Sequence, residues 1–229
     1  MAETGWERKM LHFYPGPRRL LFIVDSKLVL DVDARGGPRY PGGKPTTANE
    51  MQQMPTTPGR YRVGWVGRYV TRTWDQARIP WGARLKPHPS DDKDMLYEAS
   101  PGHWRSVLKV AKVTRRQLED GNKHDYHDEH LPTRWLWNPF GPVAIRYYVD
   151  RNDNHRRDPG EPLSGEMFHT TPDDEANADR PLDDSHGCIH IKPLDRDALL
   201  KAGAFLLGTL LVIHDYGEVA PVPRADRGN

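Results

Sequence analysis

Apolar residues in this chain fall mostly into short runs separated by turn-forming stretches, the signature of strands rather than long helices. In "RRLLFIVDSKLVLDVDARGG" two β-rich runs, Leu20 to Val24 and Leu28 to Val32, flank Asp25-Ser26. That pattern predicts a hairpin, and with it the start of the folded domain. After the Gly-, Pro- and Thr-rich stretch 34–59, Arg60 to Val70 alternates well enough to predict another strand. Val143 to Val149 and the short run "EMFHTT" predict two more, on either side of the polar loop "DRNDNHRRDPGEPLSG", and "GTLLVIHDY" predicts a last buried strand. Two segments switch to a helical period. Trp104, Val107, Leu108, Ala111 and Leu118 predict one amphipathic helix within 100–121, with Gly121 as its C-cap. Leu194, Ala198, Leu199, Ala202, Phe205 and Leu206 share a stripe on a second helix, with Asp195 near its positive end.

Composition narrows the function classes. Apolar residues make up 36% of the 229, enough for a packed core. The formal net charge of +1 provides no global field for nucleic acid or an anionic membrane. Nothing near the start is apolar for long enough to serve as a signal-peptide core or a membrane span. No partner that is a nucleic acid, and no membrane insertion, is therefore expected.

Cys188 is the chain's single cysteine, so it forms no internal disulfide and its thiol needs an explanation. It stands in "DDSHGCIHI", with His186 two residues before it, Gly187 allowing close approach of the backbone, and a helix soon after. A thiol becomes a nucleophile when a neighbouring imidazole or a positive helix end helps to deprotonate it. A second histidine, His169, ends the strand "EMFHTT". The competing reading is a small buried hydrophobe, which free cysteines often are.

His169, fifteen intervening residues, then "SHGCIHI" resembles the signature of the L,D-transpeptidase catalytic domain, the YkuD-type fold. "TTPGRYRV", "NPFGPVAIRYY" and "GTLLVI" resemble flanking segments of the same family, and the similarity covers roughly 19–215. The resemblance implies a mainly β domain, a sandwich or open barrel of mixed sheets with a few helices, preceded by an N-terminal extension (1–18) and followed by a flexible tail (216–229). It also implies a peptidoglycan substrate. Cys188 would attack the carbonyl between the L-centre and the terminal D-alanine of a tetrapeptide stem. His169 would be the base, oriented by a backbone carbonyl near Thr170. The N–H groups of Gly187 and Cys188 would form the oxyanion hole, while Ser185 and His186 shape the loop. Arg146 and His190 fall at substrate-binding positions. Transfer of the thioester to an amine gives a crosslink, and transfer to water gives a trimmed stem.

Departures from the pattern matter as well. Thr170 stands where the family usually has glycine. His190 stands where Arg or Asn is usual, which suggests substrate binding that weakens as the imidazole loses its proton near about pH 6–7. Residues 75–137 match no part of the family and carry Trp81, Trp104, Trp135 and Trp137, either as a lid over the donor groove or as an insertion with its own core. Within it His124, His127 and His130 have a spacing of three that suits metal ligands, though a polar loop of this kind is usually solvated.

No cofactor is expected, with one alternative. Asp150, Asn152, Asn154 and Glu161 occupy the first, third, fifth and twelfth positions of a calcium loop, but His155 replaces the sixth-position glycine. The substrate lies in the periplasm or cell envelope, so either a leader was removed or the protein travels a leaderless route such as type VI secretion, as an antibacterial effector with an immunity protein for a partner. Two other classes compete with the enzyme: a non-catalytic peptidoglycan-binding module, and a calcium-stabilised scaffold on the same fold.

Overall fold

The computed structural model describes residues 8–42 and 51–221. Parts of the expected extension, loop and tail lie outside the described residues. In chain order the elements are β1 (Lys9–Tyr14), β2 (Arg19–Val24), β3 (Lys27–Arg35), β4 (Gly59–Gly67), β5 (Leu85–Pro87), β6 (Met95–Ser100) and β7 (His103–Ser106). Then come α1 (Val107–Ala111), α2 (Arg115–Tyr126), β8 (Ala144–Tyr148), β9 (Leu163–His169), α3 (Pro172–Ala176), β10 (Ile189–Ile191), α4 (Pro193–Lys201) and β11 (Leu210–Ile213). The described residues fall into two compact units: one from 8–66, 145–169 and 181–221, the other from 67–144 and 170–180.

The first unit is a mainly β barrel with the closed strand order β1-β11-β4-β8-β9-β10-β3-β2. The sheet is mixed, because β1 pairs with β11 and β9 with β10 in parallel while the neighbouring pairings are antiparallel. The mainly β fold with mixed strand pairing is the one expected, and of the sandwich and barrel the sheet takes the barrel and closes it, which satisfies the backbone groups that an open sheet would leave at its edges. Leu11, Phe13, Phe22, Val63, Tyr147, Phe168 and Leu211 are fully buried and form its core. The predicted hairpin is β2–β3, with Asp25 and Ser26 both at positive φ, as a tight two-residue turn between twisted strands requires.

Residues 1–18 are not merely an extension, since β1 lies within them and closes the barrel between β2 and β11. Its sequence, KMLHFY, interrupts the apolar run with His12 and so shows little periodicity by itself. The last helix is also shorter than its stripe suggested. Gly203, at φ +74°, turns the chain just after α4 ends, and of the stripe Leu199 and Phe205 are buried while Leu194 and Leu206 are exposed.

In the second unit the single helix expected over 100–121 is instead a strand and two helices. Ser106 caps α1 by accepting from the Lys109 N–H, left-handed Lys112 ends it, and Thr114 opens α2 through a reciprocal capping box with Gln117. Gly121 therefore lies inside α2, and His127 is its left-handed C-cap. Trp104 belongs to β7, where the Lys86 ammonium sits 3.9 Å from its ring centroid. Trp135 is fully buried with Ile79, Met95, Val107 and Leu118, and Trp137 packs against that cluster. The unit thus has its own core. His124 and His130 are almost fully exposed, each paired with a nearby aspartate, and do not converge with His127 into a cluster.

Candidate functional site

The signature loop is held by its own backbone. Ser185 is buried; its hydroxyl donates to the Cys188 carbonyl and accepts the Gly187 N–H at 3.1 Å, while its N–H donates to the Gly36 carbonyl. This tight turn places Gly187 at φ +110°, a backbone state that a side chain would strain. A Cβ there would also lie 3.2 Å from the Glu166 carboxylate. His186 points to solvent, and Cys188 is half-buried at the exit of the turn.

From Cys188 the chain enters β10, whose parallel pairing with β9 sets His190 opposite His169 and Ile189 opposite Phe168. Ile189 and Phe168 turn into the core, so both histidines lie on the other face, with ring centroids 4.7 Å apart and edge to face. Continued one residue back, the same alternation brings the Cys188 side chain to that face beside Met167, whose N–H donates to the sulfur. The fold thus sets His190 against His169 and puts Cys188 on the strand next to the one that ends in His169, residues that the sequence separates by up to 21 positions.

Electrostatics set the resting state of this thiol. Burial pushes the Cys188 pKa up to about 11; the Met167 N–H opposes that rise, and the Glu166 carboxylate adds to it. About one molecule in ten thousand is then a thiolate at pH 7. His190 moves the other way. Burial lowers it to about 4, against a bond to the Asp183 carbonyl that favours the charged form. It is therefore neutral across pH 5–8, which removes the basis for a proton-dependent grip on substrate near pH 6–7.

Glu166 is the residue that motif reasoning missed. Its carboxylate accepts from the Thr57 hydroxyl at 2.7 Å, the Thr57 N–H at 3.2 Å and the Tyr147 hydroxyl at 3.0 Å. A carboxylate beside the apolar pair Met167–Phe168, in a strand that runs to His169, was the available signal. The Tyr216 hydroxyl donates to the Gly37 carbonyl and accepts the Thr56 N–H, next to Gly36, whose carbonyl accepts the Ser185 N–H. Arg146 does not face outward as a free cation: its guanidinium donates to the Leu163 and Ser164 carbonyls. Thr170 is buried in the second unit, where its hydroxyl donates to Glu175 and its Oγ1 lies where a Cβ on Gly141 would fall.

No family model and no curated protein matches the chain. Solved structures do. The structural neighbours are L,D-transpeptidases. The enzyme of Xylanimonas cellulosilytica is 10% identical with a TM-score of 0.39, and that of Mycobacterium smegmatis is 12% identical with a TM-score of 0.40. L,D-transpeptidase 1 of Mycobacterium tuberculosis is 10% identical with a TM-score of 0.33. Each alignment covers 90% of this chain but only 58–61% of the other, so the chain spans about 60% of the length of these neighbours. At such scores the functional reading stands on the chain's own residues. Among the described residues no helix is long and apolar enough to cross a membrane.

Proposed function

We propose that the protein is a cysteine-dependent acyltransferase acting on peptidoglycan stem peptides, an L,D-transpeptidase or L,D-carboxypeptidase. The supporting observation is the register of β9 against β10, which sets the strand bearing His169 beside the strand that continues from Cys188. A spaced His and Ser-His-Gly-Cys pattern has catalytic meaning when its two halves are neighbours in space.

Because the resting thiol is neutral, attack and deprotonation are coupled. His169 takes the Sγ proton as sulfur bonds to the carbonyl carbon before the terminal D-alanine. The charge that develops on oxygen meets the N–H of Cys188; the Gly187 N–H is already committed to Ser185. The tetrahedral intermediate collapses, the C–N bond breaks, and His169 returns its proton to the departing amine. A thioester remains. An amine from a second stem then gives a crosslink, or water gives a tripeptide and the free thiol. His190, neutral and edge-on to His169, acts as a positioning residue for that imidazole.

Incubation of the protein with disaccharide tetrapeptide, followed by intact-protein and product mass spectrometry, tests this reading. The expected result is an adduct equal to the substrate less D-alanine, absent in Cys188→Ala and reduced about a thousandfold in rate in His169→Ala. Folded protein with neither adduct nor product would refute it.

A further inference from the structure

The loop Asp150–Glu161 joins β8 to β9, at the opposite end of the hairpin from His169. Two of its features lack an explanation within the chain. The Asp150 side chain is only 5% exposed and its Oδ2 accepts from Arg62 Nε and the His155 N–H, each at 2.8 Å. Its Oδ1 is buried with no partner. The hydroxyl of neighbouring Tyr148 is likewise buried without one. A carboxylate oxygen kept from water and left unpaired is costly, and native proteins rarely tolerate it unless something occupies the position.

Two further carboxylates belong to the same loop, Asp158 and the buried Glu161, and Glu161 accepts the Arg151 N–H at 2.7 Å and the Asp158 N–H at 2.9 Å. Burial first, and then Asp150, Glu161 and Asp158, raise the Tyr148 hydroxyl to about 12, with Arg62 opposing. Asn152 and Asn154 both direct their amide nitrogens at Asp158 Oδ2, at 2.8 and 2.9 Å. We propose that this loop binds a calcium ion, with Asp150 Oδ1, the carboxylates of Asp158 and Glu161, the side-chain oxygens of Asn152 and Asn154, and the Arg156 carbonyl as ligands. These are positions one, nine, twelve, three, five and seven of a twelve-residue calcium loop. An all-oxygen set with three negative charges selects a hard divalent cation, and a flexible loop favours calcium over magnesium, which demands octahedral geometry and sheds water reluctantly.

The objection raised by the missing sixth-position glycine is met by the backbone. His155 adopts φ +65°, the conformation for which glycine is used there. Asp153 and His155, which with Asp150 form a compact trio, are not the ligand set: Asp153 is bonded to Arg62 Nη2 and to the His155 ring. Arg62 stays on Asp150 Oδ2, leaving Oδ1 for the ion. Calcium displaces the two asparagine amide donors from Asp158 and stiffens the turn from which β9 runs to His169.

Chelator-treated protein titrated with CaCl2 by calorimetry should show one saturable site, with an affinity in the range of extracellular modules, about 10⁻⁴–10⁻³ M. Saturating CaCl2 should raise the midpoint of thermal unfolding by about 2–4 °C, and MgCl2 at the same concentration should not. Asp158→Ala and, separately, Asn154→Ala, both at exposed or partly exposed positions, should weaken binding tenfold or more while remaining folded without calcium. Absence of a saturable calcium heat in the parent, an equal shift with magnesium, or unchanged binding in both variants would overturn the proposal.

Discussion

The two loops that meet β9 handle charge in opposite ways. At one end, the turn Ser185–Cys188 is stitched by one hydroxyl and backbone groups, and burial, with the Glu166 carboxylate adding to it, keeps the thiol it presents neutral. At the other, Asp150–Glu161 gathers carboxylates around Arg62 and leaves one oxygen without a partner. In the proposed reaction the thiol parts with its proton only during attack, and a buried setting with few compensating charges keeps it neutral until then. A group that holds a cation concentrates negative charge where water is excluded. The difference shows that burial means little by itself; what accompanies the buried group decides what it can do.

Removing the cation at the acidic end has the largest expected effect on the comparison. Arg62→Met would leave Asp150 buried without its partner and lower stability by about 3–5 kcal/mol in urea unfolding. A smaller loss would mean that the carboxylate can reach water. Ser185→Ala, at the other end, takes the acceptor from Gly187 N–H and the donor from the Cys188 carbonyl, for an expected loss of about 1–3 kcal/mol together with slower acylation. Unchanged acylation would show that the turn holds Cys188 without its serine.

Glu166→Gln tests the neutral thiol directly. Burial is the main cause of the raised Cys188 pKa and the Glu166 charge adds to it, so removing that charge should speed alkylation by a small electrophile at pH 8. In the parent, the labelling rate should climb with pH toward about 11 rather than level off near 9. The smallest effect concerns His190. With its folded pKa at about 4, below the ordinary 6.5, the unfolded state takes up a proton in that window that the folded state refuses. Stability contributed by this site is therefore full above about pH 6.5 and falls as pH drops toward 4. Histidine NMR that showed His190 titrating near 6.5 would remove this term.

Much of the barrel was legible because hairpins and short strands announce themselves locally. Asp25-Ser26 between two β-rich runs specifies its own turn, and β8, β9 and β11 follow apolar runs to within a few residues. The helical segment was misread because apolar spacing says nothing of caps: Ser106 and Thr114 start new helices inside what looked like one stripe. β1 was missed because its partners, β2 and β11, lie next to it only once the barrel closes.

The sequence by itself determined the candidate chemistry: a lone cysteine, its His-Gly neighbours, a histidine at the right separation and a polar loop with calcium-like spacing. These are statements about residue type and order, which need no third dimension. Only the tertiary structure decided that His190 registers with His169, that Glu166 lies beside Gly187 of the cysteine loop, that Arg146 is committed to backbone carbonyls, and that Asp150 keeps one oxygen unpaired. Each depends on strand pairing and burial between residues distant in the chain, and both the cost of desolvation and the value of a hydrogen bond are set by such neighbours.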